Sequence, residues 1–356
     1  MKVFTVVGAR PQFVKAAAVS RALMAQPGME EVLVHTGQHF DHGMSDIFFE
    51  EMEIPRPKYN LDIHSLGHGA MTGRMLEHLE AKLQVEQPDV VLVYGDTNST
   101  LAGALAAKKL HIPVAHVEAG LRSFNDRMPE EVNRILTDRI SNTLFCPTDA
   151  AVENLRKEGF DHLPAEVLKV GDVMQDAAYF YAERSAERST VMDAIGGGDF
   201  ALCTVHRAEN TDDPERMRGI FQALEQIHRQ VPVVLPIHPR TRNILNKMGL
   251  ETPIKLIDPV GYFDMIELLK HCRLVLTDSG GLQKEAYFFH RPCITMRDQT
   301  EWVELVTSGT NQLVGADTAG IVEAFEKAVS TEADFSRDLY GAGNASVRIA
   351  AHLNAR

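Results

Sequence analysis

The chain has 356 residues, enough for two domains at about 100–200 residues each. Hydrophobic residues make up 44% and charged residues 24%, an ordinary globular composition that excludes disordered, collagen-like and low-complexity chains. With 36 basic and 49 acidic residues the net charge is -13, which argues against a nucleic-acid partner. A phosphorylated small ligand stays open, because a few placed cations suffice for it.

The first apolar run, VFTVVGAR at 3–10, is too short for an export signal and ends without a cleavage site. Further short runs close on polar or glycine-rich tips at 31–39, 90–100, 112–120, 142–148 and 166–172. A second series stands at 200–210, 231–240, 254–259, 273–281, 292–298 and 311–315. Continuous, β-branched runs of this kind predict strands buried on both faces. Helical periods lie between them, such as Val14, Ala17 and Ala18, or Val132, Ile135, Leu136 and Ile140 after a Pro129 at a first helical position.

Alternating strands and helices predict parallel sheets and an α/β fold. A dozen strands exceeds a single eight-stranded barrel and fits two Rossmann-like, doubly wound domains with a cleft between them. The stretch 176–199, polar and Ala-rich with Gly196–Gly198, reads as a loose divider, and the switch is placed near 170–172. No internal repeat is visible, and no run approaches the ~18 apolar residues of a membrane span. Cys146, Cys203, Cys272 and Cys293 lie far apart with no C-x-x-C pair, which fits a reducing cytosol.

Ligands of open parallel sheets bind beyond the carboxyl ends of the strands, and the unusual residues collect there. Arg10 and Lys15 stand at the first strand tip and the turn after it; YGDTNST puts Asp96 at the third tip, HVEAGLRS puts Glu118 at the fourth, and Glu130 follows Pro129. Crowded carboxylates raise one another's pKa, which suits acid–base work. Asp96 also reads as a helix cap and Glu130 as a dipole-favoured first-turn acid. His206 and His238 each end an apolar run. SGGLQKEA at 279–286 is the best anion site, with glycines and a helix start, although it also reads as a plain capped turn. The crowded loop with His35, His39, Asp41 and His42 matches no zinc spacing, so no metal is predicted.

Taken together, GARPQFVK, GDTNST, HVEAGLRS, MPEEVNR, TVHRAEN, TDSGGLQKEA and MRDQTEW resemble the non-hydrolysing UDP-N-acetylglucosamine 2-epimerase family over nearly the whole chain. The resemblance implies a GT-B-like fold, with 1–170 plus a returning helix at about 345–356 as one domain and 171–344 as the UDP-binding other. It implies interconversion of UDP-GlcNAc and UDP-ManNAc for surface polysaccharide synthesis, with no nicotinamide cofactor, in a cytoplasmic homodimer. UDP would leave C1 as a proton leaves C2, giving 2-acetamidoglucal, and re-addition with protonation of the other face would invert C2. By motif, Asp96, Glu118, Glu130 and His206 form the implied catalytic set. Arg10, Lys15, Arg134, Ser279, Gly280, Gly281 and Glu285 are the implied UDP contacts, Glu285 on the ribose.

Two departures qualify this. Trp302 stands where many relatives carry a substrate-contacting Arg, and QHFDHGMSD at 38–46 replaces a glutamine-bearing loop that binds an activating UDP-GlcNAc. With only Arg74 and Arg207 matching that second site, activation is expected to be weak or absent. The same variants resemble a branch acting on UDP-2,3-diacetamido-2,3-dideoxy-glucuronic acid, which stays open as the substrate. A GT-B glycosyltransferase, a two-lobed binding protein and a hydrolysing relative are the more distant readings, separated by acceptor dependence and by products.

Overall fold

The computed structural model describes residues 1–38, 53 and 55–356, apart from the Arg10 side chain. The chain divides into two compact units, Met1–Ala177 joined by Asp338–Arg356, and Ala178–Arg337.

The first unit is a seven-stranded sheet in the order β3-β2-β1-β4-β5-β6-β7. Its strands are β1 (Lys2–Val7), β2 (Glu30–His35), β3 (Tyr59–Asn60), β4 (Val90–Tyr94), β5 (Val114–Val117), β6 (Thr143–Cys146) and β7 (Glu166–Lys169). Every pairing is parallel, for example Phe4 opposite Val32 and Val91. Central strands such as VVLVY of β4 are wholly buried, because helices cover both faces. The helices that matter here are α1 (Arg10–Met24), α2 (His68–Glu86), α3 (Asn98–Lys109), α4 (Pro129–Ile140) and α5 (Asp149–Lys157). The Ala-rich α3 packs close to the sheet, and Gly103 lies against Val6 and Val93.

Two differences from the sequence expectation stand out. The stretch taken as a loose divider is helical, as α6 (Val173–Arg188) and α7 (Val191–Ile195). Its alanines are helix formers, and Ala177, Ala178, Tyr181 and Ser185 make one fully buried face at helical spacing. In α4 the apolar stripe points outward: Val132, Ile135 and Leu136 are 45%, 40% and 47% exposed. The polar face, with Glu131, Asn133, Arg134, Thr137 and Asp138, is the buried one. Ionic partners inside the unit, described below, make that inversion possible.

The second unit is a six-stranded parallel sheet in the order β10-β9-β8-β11-β12-β13. Its strands are β8 (Ala201–Thr204), β9 (Val233–Pro236), β10 (Lys255–Ile257), β11 (Leu274–Thr277), β12 (Cys293–Thr295) and β13 (Asn311–Leu313). The short α8 (Ala208–Thr211) follows β8, α9 (Pro214–His228) and α10 (Pro239–Met248) flank β9, and α11 (Tyr262–His271) precedes β11. After β11 come α12 (Gly280–Phe288), α13 (Val303–Thr307) and α14 (Thr318–Ser330). The last helix, α15 (Ala345–Asn354), belongs to the first unit. There Asp176 accepts from the Ala345 and Ser346 amides at 3.1 and 2.7 Å, satisfying free N–H groups at the helix start. Among the described residues no helix is long and apolar enough to cross a membrane.

Candidate active site

In each unit the strand order reverses once, between β1 and β4 in the first and between β8 and β11 in the second. Such switch points open a crevice at the strand ends, and the singled-out residues gather there.

In the first unit Gln12 ties the β1 and β4 tips together. Its Oε1 accepts from the Gly8 and Ala9 amides at 2.8 and 3.0 Å, and its Nε2 donates to the Tyr94 carbonyl at 2.7 Å. Gly8 has no room for a side chain, since a Cβ there would stand 2.0 Å from Thr36 Oγ1. Lys15, on α1, forms an ion pair with Glu118 just past β5, and both side chains are about nine-tenths buried. Gly95 (φ 61) gives that pair its space, because a Cβ there would approach Glu118 Oε2 to 3.2 Å. Glu118 itself has φ 70, a conformation rare for a residue with a side chain.

Asp96 follows Gly95 and precedes the true cap of α3, Thr97, whose hydroxyl accepts from the Thr100 amide. Its carboxylate pairs with the Arg134 guanidinium, whose other arm reaches Glu131 at 2.9 Å. Asn133 adds a hydrogen bond to the Asp96 carbonyl at 3.0 Å. Burial alone would lower the Arg134 pKa, but Asp96 and then Glu131 outweigh it, so the guanidinium is raised above its ordinary value. Glu130 opens the same helix after Pro129 and has no ion pair or side-chain hydrogen bond among the described residues. Asp96 and Glu118 are thus each matched to a cation, while Glu130 has no cation partner among the described residues. The Arg10 backbone starts α1, while its side chain, His39, Asp41, His42 and all of 38–46 but Gln38 lie outside the described residues.

In the second unit the fully buried Asp278 ends β11 and organises the β8 tip. It accepts from the amides of His206 and Arg207 at 3.0 Å each and from Asn210 Nδ2 at 3.2 Å. His206 Nδ1 stands 3.4 Å from Asp278 Oδ1. The imidazole pKa is lowered from its usual 6.5, first by burial and then by Arg207 and His238, against the pull of Asp278. Ser279 caps the start of α12 without a side-chain hydrogen bond, and Gly280 and Gly281 form its first turn. A Cβ on Gly280 would lie 2.3 Å from Glu301 Oε1, so a side chain there would push the Glu301 carboxylate aside. Glu285 follows on the same helix, about nine-tenths buried.

Trp302 lies behind this turn. It is 5% exposed, and its indole N–H donates to the Gly280 carbonyl at 2.9 Å. Lys284 Nζ sits 4.1 Å from its ring. The residue thus braces the Ser279–Gly281 turn, which an arginine at that place would not do in the same way.

A profile of the family described as UDP-N-acetylglucosamine 2-epimerase matches residues 21–354. The chain belongs to this family. A relative in Pseudomonas aeruginosa, named UDP-2,3-diacetamido-2,3-dideoxy-D-glucuronate 2-epimerase, is 58% identical over 99% of both chains. The crystal structure of the Methanocaldococcus jannaschii UDP-GlcNAc 2-epimerase with UDP-GlcNAc and UDP is 41% identical, with TM-score 0.89 over 100% of both chains. That of the Neisseria meningitidis enzyme bound to UDP-GlcNAc is 32% identical, with TM-score 0.88 over 100% of both. The two-unit α/β architecture is therefore the GT-B-like fold of the 2-epimerase family.

Proposed function

We propose that the chain is a non-hydrolysing UDP-sugar 2-epimerase in which Asp96, Glu118 and Glu130 handle the C2 proton and His206 faces the departing diphosphate. The observation that carries this is the pair of carboxylates at adjacent strand tips, Asp96 after β4 and Glu118 after β5, held by Arg134 and Lys15, with Glu130 on the same helix as Arg134. The C1–O bond breaks with its electron pair leaving on UDP, while a carboxylate takes the C2 proton and the C2–H pair becomes the C1=C2 bond. On return a diphosphate oxygen attacks C1, and a carboxyl group delivers a proton to the opposite face of C2. Burial lowers the His206 pKa and favours the neutral ring, whose N–H can donate to the departing diphosphate and stabilise its charge. The Gly280–Gly281 turn offers backbone N–H groups to phosphate oxygens, and Lys15, Arg134, Ser279 and Glu285 (with Arg10, by motif) are the proposed UDP contacts.

The sugar favoured is UDP-2,3-diacetamido-2,3-dideoxy-glucuronate, supported by the 58% identity to the relative of that name. UDP-GlcNAc is the second reading, supported by the relatives named for it. Incubation with each sugar in deuterated water, followed by proton NMR, tests both. Deuterium at C2 with the epimer formed supports the reading, and the faster sugar is the substrate. Release of free sugar without C2 labelling would overturn it.

The outward apolar stripe Val132, Ile135 and Leu136 supports a homodimer through α4, which sedimentation of the wild type against a Leu136→Glu variant tests. Four buried, unpaired cysteines support a reducing cytoplasm.

A further inference from the structure

Beneath the tips of the first unit lies an ionic cluster that the proposed chemistry does not itself use. His116, in the middle of β5, is fully buried, as is Asp138 on α4. The imidazole Nε2 meets the Gly95 carbonyl at 2.7 Å and Nδ1 meets Asp138 Oδ1 at 2.7 Å. A carbonyl only accepts, so Nε2 bears the hydrogen, and the carboxylate asks Nδ1 for a second. Asp138 Oδ2 accepts from the Gly120 amide at 3.1 Å and from Arg122 at 2.8 Å. Arg122 then grips Glu158 with two nitrogens, at 2.6 and 2.7 Å.

Each mount of the three acids meets this cluster. Gly95, whose carbonyl is held, precedes Asp96. Gly120, whose amide is held, lies two residues after Glu118. Asp138 shares its helix with Glu130 and Arg134. The backbone between these anchors is strained or glycine-dependent, with φ 61 at Gly95, 70 at Glu118 and 81 at Gly120. Such conformations persist only where the surroundings over-determine them. An apolar pair could fill the same volume, but it could not bind a carbonyl on one strand tip and an amide on the next.

We propose that His116 and Asp138 are positioning residues for the epimerisation, clamping the tips of β4 and β5 to α4 so that the three carboxylates keep their mutual placement. This rests on the roles given above to Asp96, Glu118 and Glu130. Reacting groups displaced by about 1 Å lose on the order of 100-fold in rate, which sets the effect to look for.

The test uses His116→Gln and Asp138→Asn in the full-length protein, with Glu158→Gln at the outer end of the cluster as the control. Turnover per folded molecule, KM, UDP affinity by calorimetry and melting temperature are measured for each, beside the wild type on the same sugar. The expected result is a kcat lowered about 10–100-fold in both test variants, with KM and UDP affinity held, while Glu158→Gln loses only thermal stability. Nitrogen-15 spectra of the wild type should show hydrogens on both ring nitrogens of His116, absent from His116→Gln. Variants that melt early but turn over at the wild-type rate would reduce the cluster to plain core and overturn the proposal. So would a loss of UDP affinity equal to the loss of kcat. If His116→Gln does not fold, Asp138→Asn decides by the same criteria. A wild type that exchanges C2 on neither sugar defeats the functional reading itself, which the parallel control separates from failure of the clamp.

Discussion

Replacing Arg134 by methionine removes a guanidinium that serves two acids at once. Its side chain is 8% exposed, against 3% for Glu131 and 30% for Asp96. Breaking a buried pair from one side costs about 3–5 kcal/mol, because a charge is left behind. Two features reduce that figure here. Glu131 keeps three other donors, the Ser123 amide and hydroxyl and the Phe124 amide, each at 2.9 Å. Asp96 is exposed enough that water takes over part of the lost contact, which moves that arm toward the ~0–1 kcal/mol of surface pairs. The expected loss is therefore about 2–3 kcal/mol, or a melting shift of roughly 5–10 °C for a unit of this size. Arg134→Lys keeps the charge but not the fork, so it holds one acid only and should lose about 1 kcal/mol. Urea unfolding with C2–deuterium exchange on the same samples reads stability and chemistry together. Near-wild-type stability and exchange in Arg134→Met would show that the fork organises neither acid.

Trp302→Phe keeps the ring but leaves the Gly280 carbonyl without its donor, so unfolding free energy should fall by about 1–2 kcal/mol and UDP bind more weakly; unchanged UDP affinity in calorimetry would remove Trp302 as a brace. For His206 the folded pKa lies below 6.5, so as pH falls the unfolded chain binds the proton first. Its contribution to stability is then fully present above about pH 6.5 and lost as pH falls toward the folded value, and urea titrations of His206→Gln should show a flatter pH dependence in that window. At Glu118, with φ 70, glycine relieves backbone strain: on a Lys15→Met background, Glu118→Gly should be about 0.5–1 kcal/mol more stable than Glu118→Gln, both being inactive. Equal stabilities in thermal unfolding would mean that no strain is stored there.

Much of this arrangement is legible in the sequence because it depends on local signals. Runs such as VVLVYGDT carry both the buried strand and the acid at its tip. The two-residue β3 (Tyr59–Asn60) carries no apolar run and escapes such a reading. The helix α6 escapes it because alanine, glutamate and arginine look polar and loose until one buried face is counted at helical spacing. The outward stripe of α4 was legible as a helical period but not as an exposed one, since its direction depends on ionic partners distant in sequence. His116 and Asp138 are separated by 22 residues, and Arg122 and Glu158 by 36, so no motif announces them. A histidine inside a short apolar strand, followed by an Asp among the polar residues of an amphipathic helix, is the only signal available beforehand.

The two units share a topology yet differ in how the carboxylates at their strand tips are engaged. Asp278 sits at a switch-point tip, as Asp96 does, but its oxygens are taken by two backbone amides and an asparagine. Buried and engaged in this way, Asp278 serves the backbone around it. It fixes the backbone from which His206 projects. Asp96 and Glu118 are instead paired with the cations Arg134 and Lys15. On the roles proposed above, a bound diphosphate competes with the two carboxylates for Lys15 and Arg134, so nucleotide binding and release of the acids draw on the same two ion pairs.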